Sequence, residues 1–292
     1  MSIGNRDALL GWLRPVKPAL LHFNESDGWA MASHVALSTI MAIFPFLIFA
    51  VSLAGSLGSA GVSGRIIELQ FEYWPDAIAE PIVNEIKAVA EQASAGYLTL
   101  GIVLTIFFAS NGFEAVRIAL NRAYGDKDER SIWKQRLQSL VFVAGNALLL
   151  LVVAVLLVFA PIYFSFIEEA SPTFYHWFFR SETARGIIAF VSLIFVVFAC
   201  HHWLPGRRRS VGQIWPGIVL TMVLWIVAAA VFSMYLESFA NYSATYAGLA
   251  GIMTALIFLY FEAVILIFGA EYNSALEKAK LGRISAGPQR AV

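Results

Sequence analysis

YLTLGIVLTIFFASNGFEAVRIALNRAYG, residues 97–125, is the stretch whose reading decides the fold. Its first half is an unbroken apolar run, and its second half carries Asn111, Glu114, Arg117 and Asn121 at spacings of three, three and four. At 100° per residue, Ser110, Asn111, Glu114, Arg117 and Asn121 fall within an arc of about 120°. The stretch therefore reads as one helix that starts in an apolar medium and ends in a polar stripe. Glu114 and Arg117 are also spaced to pair along it.

Composition extends that reading to the whole chain. Of 292 residues, 59% are hydrophobic and only 14% charged, with a mean hydropathy of +0.71. Both values lie well outside the range of an ordinary soluble domain, so the sequence predicts an all-α integral membrane protein. A helix of about 20 apolar residues crosses roughly 30 Å of hydrocarbon. Six such runs occur, at approximately 33–57, 96–118, 138–164, 185–204, 211–236 and 247–272. They define a six-helix transmembrane domain over 33–272, after an interfacial segment at 1–32 and before a tail at 273–292. Pro45 falls near the middle of the first run, which predicts one kinked span rather than two short ones. The first 32 residues lack the pattern of a secretory signal, and LLGWLRP at 9–15 reads as a short helix at the interface. Cys200, the single cysteine, sits inside a predicted span and offers no disulfide framework.

Lysine and arginine set the orientation, because they accumulate in short cytoplasmic loops. Fifteen lie in the N-terminal segment, the loops 119–137 and 205–210 and the C-terminal tail, against three in the alternate loops. Both termini are therefore expected in the cytoplasm. In the basic loops, Arg207, Arg208 and Arg209 are candidates for contact with the anionic headgroups of membrane lipids, or they serve only to fix topology. No basic surface alternates with aromatic stacking residues, so a nucleic-acid partner is not expected. The outer loop 58–95 is acidic, and in DAIAEPIVNEIKAVAEQ the residues Ile78, Ile82, Ile86 and Val89 recur at helical spacing. Amphipathic helices are expected there, either capping the bundle or acting as a lid.

With a direction assigned, depth follows. At 1.5 Å per residue Asn111 lies about 21 Å below the outer boundary, Glu114 about 26 Å and Glu262, in the sixth run, about 22 Å. A charge close to the boundary can snorkel, which accounts for Arg117 but less well for Asn111 and Glu114. An intramembrane glutamate normally faces protein or water and marks a site. Ser33, His34, Ser38, Thr39, Asn146 and Gln213 fall in the same half, and this gathering favours a polar, cytoplasm-facing cavity. His34 could titrate between pH 5 and 8, or serve as a hydrogen-bonded packing residue. In CHHW, Cys200, His201 and His202 point 100° apart on a helix and cannot all reach one ion. Interface anchoring is the expectation for that segment, and no metal, cofactor or catalytic residue is assigned.

LNRAYG at 120–125, RSIWKQRLQSL at 130–140, IWPG at 214–217 and YFEAVILIFGAEYNSAL at 260–276 resemble the YihY family, also called the virulence factor BrkB family. The resemblance covers approximately residues 20–278 and includes Pro45, Asn121, Arg122, Tyr124, Gly125, Gly269, Ala270 and Glu271. The chain departs from the family pattern at His34 and Val35, where an aromatic is usual. The resemblance implies six transmembrane helices in a bacterial inner membrane, and with it come an old ribonuclease label and proposals of passage for lipids or other envelope components. The ribonuclease label fits the residues poorly, because the longest inner loop, 119–137, is too short to bury a catalytic core of its own. Two readings stay open. One is a transporter or flippase using Asn111, Glu114, Arg117, Asn121, Glu262 and His34; the other is a non-transporting scaffold whose stripe locks helices together.

Overall fold

The computed structural model describes Trp12 and residues 14–56, 95–154, 171, 173, 182–239 and 247–285. Among these the regular structure is entirely helical: α1 Val16–Glu25, α2 Gly28–Ser56, α3 Ala95–Tyr124, α4 Ile132–Ala154, α5 Glu182–Trp203, α6 Val211–Phe239 and α7 Ala247–Ser285. Stretches of α3, α5, α6 and α7 are long and apolar enough to cross a membrane, and Gly28–Ile43 is a shorter apolar segment. Within the described residues each of the six predicted runs falls on a helix, four of which meet that length and apolarity. The amphipathic outer-loop segment at 78–91, the end of the third run at 155–164 and most of LLGWLRP lie outside the described residues.

Several helices run past their predicted bounds. Helix α2 begins at Gly28 and α4 at Ile132, while α3 reaches Tyr124 and α7 reaches Ser285. Hydropathy locates the end of an apolar run, whereas a helix ends where its backbone hydrogen bonds stop. Helix α2 passes through Pro45 as one element, and the proline is buried. Helix α1 is an addition to the sequence reading. It turns into α2 through Asp27, whose φ of 56° is left-handed, and a Cβ at Gly28 would strike the Phe23 ring.

Helix α2 packs most extensively on α3, and α7 lies against α6, α2, α1 and α3. Helix α4 joins through α3, and α5 through α6. The buried residues gather at one end of this arrangement, the end that carries the 125–131 and 204–210 loops. There Phe23, Ala32, Ala115, Ala119, Leu120, Ala123, Leu204, Ile267 and Ala270 form a common core. Small residues on α3 and α7 let the helices approach closely, so side chains from the loops can reach across them. Elsewhere large apolar side chains such as Val103, Phe107, Leu148, Val191 and Val227 are exposed, as helices facing hydrocarbon require.

Candidate functional site

The stripe that ends α3 leads directly into the loop that closes over it. Gly125 adopts φ 70°, its N–H bonds the Arg122 carbonyl at 3.0 Å, and the Asp126 N–H reaches back to the Asn121 carbonyl at 2.8 Å. This is a Schellman ending, which favours glycine at the left-handed position. It turns the chain sharply and presents Asp126 and Asp128 to the bundle.

Both carboxylates are consumed there. Asp126 accepts from Arg209 at 2.6 and 3.0 Å, and Arg209 also donates to Glu277 at 3.2 Å. Arg209 is only 4% exposed, so burial favours its neutral form, but Asp126 and Glu277 outweigh that and hold it protonated. Asp128 pairs with Arg117 and takes two bonds from the Arg130 guanidinium, at 2.7 and 2.8 Å, and one from its backbone N–H at 3.2 Å. Burial alone would raise the Asp128 carboxyl; the hydrogen bonds from Arg130 and Arg117 reverse this and hold it well below the usual carboxylate range.

The predicted stripe is thereby accounted for residue by residue. Arg117 is buried against Asp128, so snorkelling is not its role: the returning loop supplies a partner that hydropathy does not reveal. Asn121 is buried too, and its Oδ1 accepts the Gly206 N–H at 2.6 Å. Asn111 and Glu114 are half-buried and share Arg136 of α4, at 2.7 and 3.0 Å. The stripe is thus a set of paired groups holding α3 to α4 and to both loops.

Glu262 and His34 stand apart from it. Among the described residues no hydrogen bond or ion pair joins the Glu262 carboxylate to Asn111, Glu114, Arg117 or any other side chain; only its backbone carbonyl is engaged, by the Trp225 indole at 3.0 Å. His34 is exposed on α2.

A second network lies beneath the first. The Tyr124 hydroxyl meets His201 Nδ1 at 2.7 Å and accepts from Asn273 Nδ2 at 3.2 Å. Asn273 also donates to the Ile214 carbonyl and accepts the Gly217 N–H, at 2.9 and 2.6 Å. The expectation of interface anchoring for CHHW is corrected here. His201 is 0% exposed, because the α3 terminus packs on it, whereas His202 is half-buried and Trp203 exposed.

Residues 19–292 match the family described as Virulence factor BrkB. The chain belongs to that family. It is 28% identical over 269 residues to the "Putative ribonuclease-like protein YfkH" of Bacillus subtilis, covering 91% of this chain and 96% of that one. It is 23% identical over 256 residues to a "UPF0761 membrane protein" of Alteromonas mediterranea, covering 85% and 82%. A "UPF0761 membrane protein" of Pseudoalteromonas atlantica is 22% identical over 282 residues, covering 93% and 90%. No solved structure matches the chain significantly.

In this BrkB-family membrane protein the residues that carried the resemblance have structural positions. Arg122 pairs with Asp27 at 3.0 Å. Glu271 is buried, bonded to His22 Nδ1 at 2.6 Å and Ser26 Oγ at 2.8 Å, so it pins α1 to α7. Gly269 faces Gly217 and Thr221, where a Cβ would overlap the threonine hydroxyl. Asp126, Asp128, Arg130, Arg136, Asn273 and Glu277 escape the sequence reading because they lie in loops or past the apolar runs, where charge is ordinary. Arg209 leaves the candidate headgroup set, being enclosed by Asp126 and Glu277, whereas Arg207 and Arg208 are exposed. The outward face of the two loops forms an open hollow of about 760 Å³.

Proposed function

We propose that this BrkB-family protein spans a bacterial inner membrane six times, with both termini cytoplasmic, and moves a lipid or other amphiphilic envelope component across it. The bias of fifteen basic residues against three supports the orientation. The observation that carries transport is Glu262, a carboxylate in an apolar helix whose side chain has no partner among the described residues. Holding such a group in a membrane costs roughly 3 kcal/mol on insertion scales. A packing role would call for a partner, as each polar member of the α3 stripe has; a group that meets a passing headgroup or proton does not. The reading assigns no enzymatic activity, and the ribonuclease-like name stays with the Bacillus relative.

Proteoliposomes carrying a fluorescent phospholipid test it. The reading expects translocation by the purified chain and at least an about tenfold lower rate in Glu262→Gln; an unchanged rate in the folded variant would sink it. A non-transporting scaffold is the second reading, favoured by the complete pairing of Asn111, Glu114, Arg117 and Asn121. It expects Glu114→Gln to lower the melting temperature, with no translocation in the wild type.

A further inference from the structure

The hollow outside the two loops is lined by Gly125, Asp126, Lys127, Glu129, Arg130, Ser131, Lys134, Gly206 and Arg207. Its walls are tied together by hydrogen bonds: Asn121 holds Gly206, Arg130 donates to the Leu204 carbonyl at 2.7 Å, and Asp126 is bonded to Arg209. The two loops touch closely, since a Cβ at Gly206 would lie 3.0 Å from the Lys127 carbonyl oxygen.

The charges around it are unequally committed. Asp126 is neutralised by Arg209, and Arg130 by Asp128. Lys127 and Lys134 have no ion pair among the described residues and are exposed. Arg207 reaches Glu277 only at 3.8 Å, and that carboxylate already serves Arg209. Two cations, Lys127 and Lys134, are thus without an ion pair among the described residues, Arg207 is held only by the long contact to Glu277, and Ser131 also lines the recess. Glu129 is the one lining carboxylate not held by an arginine.

We propose that this hollow binds a phosphate-bearing anion through Lys127, Lys134 and Arg207. Ammonium and guanidinium groups around a preformed recess suit a phosphate, which accepts several charge-assisted hydrogen bonds at once. A second feature bears on where that phosphate comes from. Ile132 and Trp133, on the first turn of α4 beside the recess, are 80% and 85% exposed. An indole with so little of the protein to pack on is suited to the headgroup level of a bilayer, where tryptophan is enriched. The recess is separate from Glu262, so binding here stands or falls independently of transport.

Native mass spectrometry of the full-length protein in zwitterionic detergent tests the site with two probes. The first is phosphatidylglycerol measured against phosphatidylcholine, and the second is inorganic pyrophosphate. The wild type is expected to prefer the anionic lipid or to bind pyrophosphate. The triple variant Lys127→Gln, Lys134→Gln, Arg207→Gln is expected to lose about tenfold or more in affinity, in line with the loss of three surface cations. A matched control, Lys17→Gln, Lys278→Gln, Lys280→Gln, should retain it. Lipid binding alone identifies a headgroup; pyrophosphate binding of equal strength identifies a soluble phosphate ligand. The site is overturned if the wild type prefers neither probe, if the rim variant binds as the wild type does, or if the control weakens equally.

Discussion

The guanidinium carbon of Arg209 lies 3.8 Å from the centre of the Tyr124 ring, and Asp126 holds it there with two hydrogen bonds. One side chain therefore joins the 204–210 loop, the end of α3 and, through Glu277, the far end of α7. Removing it strands two carboxylates at once. Arg209→Met should destabilise the fold by about 3–5 kcal/mol, the usual cost of breaking a buried ion pair from one side. Pairing it with Asp126→Asn should recover part of the loss. Arg209→Lys should not rescue, because a lysine cannot make the two-pronged contact or stack on the ring. Thermal unfolding in detergent reads all three, and wild-type melting of Arg209→Lys would disprove this account.

Gly125 turns the chain at φ 70°. Gly125→Ala places a Cβ in a left-handed conformation at a cost of about 1–2 kcal/mol. There is open space around the site, so the loss is conformational rather than steric. Gly125→Asn, which tolerates that conformation, should melt closer to the wild type than Gly125→Ala does.

Helices α6 and α7 meet at Gly217, where a Cβ would collide with the Gly269 carbonyl and the Asn273 amide. Gly217→Ala should cost about 1–3 kcal/mol from overpacking, and more if the buried hydrogen bond to Asn273 breaks. Gly212, on the same helix, has nothing within 4 Å of such a Cβ. Gly212→Ala is expected to be neutral or stabilising by up to about 1 kcal/mol. Equal melting temperatures for the two variants would contradict the close crossing.

Asp128 supplies a pH dependence. Its folded-state value lies below the ordinary 3.8 because Arg130 and Arg117 outweigh its burial. The unfolded chain therefore takes up a proton before the folded one, and the stabilisation is complete above the unfolded value. It is lost progressively as pH falls below about 4 towards the folded value. Melting temperatures measured from pH 6 down to pH 3 should fall less steeply for Asp128→Asn than for the wild type. The variant should already melt lower at neutral pH, having left the buried Arg117 with only its 3.5 Å contact to Glu114.

Much of this molecule is legible before any coordinates. Apolar runs of membrane length are a one-dimensional property, since each helix satisfies its own backbone within a single segment; within the described residues every run falls on a helix, and four of these helices are long and apolar enough to cross a membrane. The polar stripe on α3 is equally one-dimensional, because angular spacing alone collects Asn111, Glu114, Arg117 and Asn121 on one face. LNRAYG likewise carries a local instruction: a helix that ends at a glycine.

What each polar group meets is a different kind of fact. Arg117 resembled a snorkelling residue because it lies close to the expected membrane boundary; Asp128 reaches it only after the Gly125 turn. Arg209 resembled a surface charge in a run of three, and it is buried because the loop lays it on Tyr124. His201 looked like part of an interfacial anchor until the end of α3 packed against it. In each case the deciding energy is a pairing between segments far apart in the chain, gained when both partners leave water together. Sequence alone determined which residues had to be satisfied. The packing of α3, α6 and α7 with their loops decided by whom, and left the Glu262 carboxylate without a partner among the described residues.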